Sequence, residues 1–130
     1  MKIENIKFKA KRLDNGELVY GSLIRSTAGI KERAYIVDNF SSMSDYSVIG
    51  IDPSTICQFT GLKDCDGKEV WEGDTLEGNR KAEIFFAQGA FLIRSIDDNG
   101  KETLHSLFNY IEWNGKLMCR VVGNKFDKEK

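Results

Sequence analysis

A chain of 130 residues with one proline, one histidine and three cysteines excludes several kinds of protein at the outset. The lone proline, Pro53, leaves no room for a proline-rich linker. With His105 the only imidazole and no C-x-x-C pair, zinc would need widely scattered ligands, and no metal or other cofactor is expected. Cys57, Cys65 and Cys119 are odd in number and far apart, so they form no self-contained disulfide framework. No apolar run approaches the ~20 residues needed to span a bilayer. The opening Met1-Lys2-Ile3-Glu4-Asn5 lacks the apolar centre of a signal peptide. Cytoplasmic residence without a membrane partner is the expectation. A marked excess of either sign of charge is lacking too: 19 basic and 20 acidic residues leave a net charge of −1. General affinity for nucleic acid needs excess cations to neutralise phosphates, so it is not expected. A local basic cluster (Lys2, Lys7, Lys9, Lys11, Arg12) keeps that question open for the first strand, although a solvated strand face explains it as well.

What is present is a foldable composition, 41% hydrophobic and 30% charged, of a size for one domain over residues 1–130. Its dominant periodicity is two, the period of a strand. Ile6, Phe8 and Ala10 alternate with Lys7, Lys9 and Lys11, and Asn15-Gly16 then signals a hairpin whose return strand runs to about Arg25. Ala34 to Val37 and Ile56 to Phe59 read as further strands. Residues 81–96 read as a hairpin turned at Gln88-Gly89, and Asn99-Gly100 marks another. Leu104, Leu107, Phe108 and Ile111 fall at i, i+3, i+4 and i+7, which predicts one short helix over 104–112. The fold class expected is mainly β: a small, barrel-like (SH3-like) hairpin meander with an N-terminal β-hairpin and that helix.

The 61–74 stretch, Thr60-Gly61 through Gly73-Asp74, invites catalytic or binding readings that its spacing defeats. Five residues separate Gly61 from Gly67, and Glu69 stands where a P-loop needs a hydroxyl, so a phosphate would be repelled. Set against an EF-hand loop, Leu62 and Gly73 occupy positions that must supply oxygen. A Cys65–His105 nucleophilic pair has no orienting group or oxyanion donors in any recognisable motif. The segment is therefore read as structural. Gly61, Gly67 and Gly73 permit turns, Asp64, Asp66 and Asp74 accept backbone hydrogen bonds, and Trp71 anchors to the core. Cys57 and Cys119 read as small buried hydrophobes and Cys65 as accessible.

Three blocks together resemble the YopX family of phage and prophage proteins. They are Ile6 to Arg12 with Asn15-Gly16 and Val19 to Ile24; Gln58 to Asp64 through Gly67-Lys68-Glu69 and Trp71-Glu72-Gly73-Asp74; and Val121-Val122-Gly123-Asn124 with Phe126-Asp127. The resemblance implies a β-rich domain encoded in mobile elements, with no assigned activity and no catalytic residues to carry over. A non-catalytic accessory domain is the expectation, acting on an unidentified protein partner or assembling with itself as a homo-oligomer. Phe85, Phe91 and Ile93 are its candidate interaction residues, because they put apolar groups on a strand face expected to be wet. The alternative is a nucleic-acid-binding small β-barrel using the basic first strand. An enzyme ranks last.

Overall fold

Alternating apolar residues and Gly-centred turns make eleven strands among the residues that the computed structural model describes, 2–26, 29, 33–38, 47–77 and 81–127. The chain divides into two compact units, Met1–Phe59 and Thr60–Lys130. In the first, β1 (Phe8–Lys11), β2 (Leu18–Ser26), β3 (Arg33–Asp38), β4 (Val48–Ile51) and the start of β5 (Cys57–Lys63) follow the order β4-β3-β2-β1-β5. All these pairings are antiparallel. Ala10, Ala34, Ile36 and Ile51 form the core, with Val19, Leu23 and Ile56 packed on it.

The N-terminal hairpin forms, but not through a two-residue turn. Arg12 N donates to Glu17 O (2.9 Å) and Gly16 N to Arg12 O (3.1 Å), so the loop is wider, and Asn15 holds it by accepting from Glu17 N (2.9 Å). Lys9 also departs from the alternating pattern, being only 8% exposed although it lies on the face expected to be wet. The cause is β1's position between two strands. Lys9 is opposite Tyr20 on one side and Cys57 on the other, which cover its aliphatic stem, and its Nζ lies 6.0 Å from the Tyr20 ring centroid.

In the second unit, the end of β5 is followed by β6 (Glu69–Trp71), β7 (Asp74–Leu76), β8 (Lys81–Ala87), β9 (Ala90–Ile96), β10 (Glu102–Ser106) and β11 (Val121–Asn124). The last five form an antiparallel sheet of order β10-β9-β8-β7-β11. Its core is Val70, Leu76, Ile84, Ile93, Leu107, Leu117 and Val121. At the β8–β9 turn both Gln88 (φ +53°) and Gly89 (φ +79°) take the positive φ of a type I′ turn. Loops 64–68, 97–101 and 112–116 share another design. In each, the first residue's N–H donates to the fifth residue's carbonyl, while its own carbonyl accepts from a glycine N–H.

Two features differ from the sequence expectation. The sheets have open ends, and among the described residues no barrel closes. The helix over 104–112 is instead β10 followed by a single 3-10 turn, Leu107–Tyr110, capped by the Ser106 hydroxyl accepting from Phe108 N (3.3 Å). The 97–101 loop folds the chain back onto β9, where Leu104 pairs with Arg94 and Ser106 with Leu92, and this long-range pairing overrides the helical period. Of the four stripe residues, only Leu107 is fully buried.

Gly21 is the position where the first unit has least tolerance. Its φ is +155°, and a Cβ there would collide with the Val37 carbonyl oxygen across the β2–β3 pairing. Gly21→Ala is therefore expected to lower stability by about 1–3 kcal/mol, the usual cost of forcing atoms into a packed site. Denaturant unfolding of this variant beside wild type checks it.

Candidate functional site

Asp64 is fully buried, so water cannot solvate its charge. Three amides serve instead. Oδ1 accepts from Asp66 N (2.9 Å) and Lys68 N (2.8 Å), and Oδ2 accepts from Val121 N (2.9 Å), 57 residues away. Burial alone would push the carboxyl's pKa up. The Val121, Lys68 and Asp66 amides, helped by the Lys68 charge, outweigh it and hold the pKa below the ordinary aspartate value. Asp97 makes the same two local bonds, from Asn99 N (2.9 Å) and Lys101 N (2.8 Å), but in an exposed loop. What distinguishes Asp64 is its second oxygen, which ties the 64–68 loop to β11. Amides that might have cradled a phosphate at this loop are already committed to a carboxylate.

A second carboxylate acts at the other end of β6. Asp74 is buried, and its Oδ2 accepts from Trp71 N (2.7 Å) while Oδ1 accepts from Asn124 Nδ2 (2.8 Å). Asn124 Nδ2 also donates to Glu72 O (3.1 Å), and Asn124 Oδ1 accepts from Phe126 N (2.9 Å). Gly73, at φ +87°, donates to Ile84 O (2.7 Å) and accepts from Lys125 N (3.0 Å). A Cβ on Gly73 would stand 3.2 Å from Asn124 Nδ2. Trp71 is buried, and Gly61 and Gly67 both have φ +84°. Asp66 is half exposed, with Oδ2 2.6 Å from Arg120 Nε. Thus Asp64, Asp74, Gly67 and Gly73 join a network whose far side is β11. Sequence reasoning missed Asn124 as a partner, although it lies within the Val121 to Asn124 block that carried the family resemblance.

The three cysteines differ in exposure. Cys57 is buried and Cys65 exposed. Cys119 is half-buried; burial first, then the neighbouring Cys65 and Glu77, push its thiol pKa up. His105 meets Tyr110 edge-on, with ring centroids 6.0 Å apart. Among the described residues, no group of three or more His, Cys, Asp or Glu is suited to a metal ion.

The β8–β9 register separates the three candidate interaction residues. Ile93 faces Ile84, and both are buried in the core; Phe91 faces Phe86 on that same side, with ring centroids 5.1 Å apart. Phe85 faces Leu92 on the opposite side, with Arg94 Cζ 4.9 Å from its ring centroid. Among the described residues, the most exposed aromatic side chains lie elsewhere. Phe108, on the 3-10 turn, is 77% exposed, and Trp113, at the tip of the 112–116 loop, is 99% exposed. That tip is well ordered by hydrogen bonds: Glu112 N donates to Lys116 O (2.8 Å), Gly115 N to Glu112 O (2.9 Å) and Lys116 N to Asn114 Oδ1 (2.9 Å). No signal in the sequence around Asn114-Gly115 marks Trp113 as exposed.

Asp64→Ala would strand the buried Val121 amide and two part-buried ones, a buried donor left unpaired costing roughly 1–3 kcal/mol, so a loss of about 2–3 kcal/mol is expected. Asp97→Ala, which releases two exposed amides that water can satisfy, should cost less than about 1 kcal/mol. Unfolding of both variants by denaturant compares them. Because Asp64's folded pKa lies below its unfolded value, its contribution is present above the unfolded pKa and is lost as pH falls through the folded one. Wild type should therefore lose more stability on acidification below about pH 4 than Asp64→Asn does.

A comparison with curated proteins finds no match. Among known families, the one described as YopX protein matches residues 7–129, a span that runs through both units and takes in the whole 61–74 network together with β11. By that match over nearly its full length, the chain belongs to the YopX protein family.

Proposed function

We propose that this protein is a non-catalytic accessory domain of phage or prophage origin that works by protein–protein interaction, first of all by self-association in the cytoplasm. The observation that carries this reading is the pair of exposed aromatics on hydrogen-bonded turns, Trp113 at 99% and Phe108 at 77% exposure. Large aromatic rings held out by an ordered backbone are costly to leave in water and are the side chains that most often anchor interfaces. Leu104 (57%) and Met118 (48%) add exposed apolar surface in the same unit. The network around Asp64 and Asp74 spends its polar atoms on backbone amides and on Asn124, which suits a scaffold.

The nucleic-acid reading draws less support. In the first strand Lys9 is largely covered, and Lys7 Nζ lies 4.6 Å from the Phe59 ring centroid, so two cations of the basic cluster already lie on aromatic rings. No helix among the described residues is long and apolar enough to cross a membrane.

Sedimentation velocity over a concentration series tests the proposal. Species heavier than the 14.7 kDa monomer, growing with concentration and persisting at high salt, are expected. A strict monomer at every concentration would remove self-association. Random-sequence DNA and RNA added at moderate salt should leave the profile unchanged; tight, salt-sensitive binding would favour the nucleic-acid reading instead.

A further inference from the structure

The first unit contains a cavity of about 530 Å³ whose walls include Leu13, Tyr35, Gly50, Ile51 and Pro53, with exposed Arg33 among them. Its size falls within the ~300–1,000 Å³ usual for sites that enclose a small organic group. The wall is built by backbone: Leu13 N donates to Gly50 O (3.1 Å), and Arg12 bridges Ile51. Leu13 is itself 69% exposed, so one side of the cavity is an apolar surface in contact with water. Gly50 contributes by having no side chain. A Cβ there would meet only Leu13 Cδ1, at an ordinary 3.6 Å, so the space in front of it is open.

We infer that this cavity receives the Trp113 indole of a second copy of the chain. Several features point to that occupant. Trp113 is 99% exposed at the apex of the tight 112–116 loop, a narrow projection that can enter a concave site. The walls are mostly apolar, as an indole needs, and Arg33 offers a cation to the ring face, the pairing in which tryptophan is the best partner. Next to the indole stands exposed Glu112, whose charge complements Arg33. The inference rests on the self-association reading above and specifies its chemistry. Each copy carries one tip and one cavity, so two copies can exchange tips reciprocally or link onward into rings or chains.

The test uses the full chain in four samples: wild type, Trp113→Ser, Gly50→Leu, and an equimolar mixture of the two variants. Trp113→Ser removes the projection and leaves the cavity; Gly50→Leu fills the cavity and leaves the projection. Sedimentation velocity on wild type should show dimers or larger species. Either variant alone should associate at least ~10-fold more weakly, since an anchoring aromatic at an interface is typically worth that much. The mixture, having one intact projection and one intact cavity, should give a one-to-one dimer and nothing larger, which also shows that both variants are folded. A mixture that stays monomeric would overturn the inference. Variants that associate as wild type does would overturn it as well, while leaving self-association through another face standing. A monomeric wild type would overturn both.

Discussion

The carboxylate of Asp64 is the interaction on which the second unit depends. It is a buried charge whose solvation is supplied by three backbone N–H groups. Removing a carboxylate from water is costly unless donors replace the water, and here the donors come from two distant stretches of chain. The local pair shapes the 64–68 loop; the third, Val121 N, fixes where β11 begins. Asp74 repeats the device at the other end of β6, reaching Asn124 at the end of the same strand. β11 is thus held at both ends by side chains that leave β6 or its flanks, in addition to its pairing with β7, which is interrupted by a shift between Val121 and Gly123. The irregular 107–120 connection can be long because its exit is fixed this way. Leu117, buried in the core, marks where it passes underneath.

This arrangement also explains why the same segment invites phosphate-loop and calcium-loop readings. Glycines, aspartates and a lysine in close order resemble a phosphate loop or a calcium loop because all three structures solve one problem, satisfying clustered amides or carboxylates in a tight turn. In the YopX chain the two halves of the problem solve each other, since the carboxylates accept from the amides.

Much of the fold was legible because strands joined by short turns carry their signal locally. The β8–β9 hairpin is readable from alternation around Gln88-Gly89, and the backbone amides that Asp64 and Asp74 accept from fit residue types suited to turns. The failures share one origin, namely information held in distant partners. Leu104, Leu107, Phe108 and Ile111 have a helical period, yet the 97–101 loop delivers this segment to β9 as a strand. Lys9 alternates as a wet residue, yet two flanking strands cover it. Ile93 appeared to need an external cover, yet the register sets it against Ile84 within the core. Trp113 was illegible for the opposite reason. A tryptophan implies burial, and nothing in the sequence near Asn114-Gly115 says that this one is held out in solvent.

The functional proposal follows from that contrast between a polar network turned inward on backbone and an aromatic turned outward on an ordered loop. The inward half is the more fundamental claim, since the position of β11 and the order of the 107–120 connection rest on it. Native-state hydrogen exchange at the Val121 amide tests it most directly. If the Asp64 carboxylate holds that amide as described, Val121 should be protected to the level of central core amides such as Ile84 and exchange only through global unfolding. Exchange at Val121 as fast as that of a free, exposed amide, with Ile84 still protected, would contradict it.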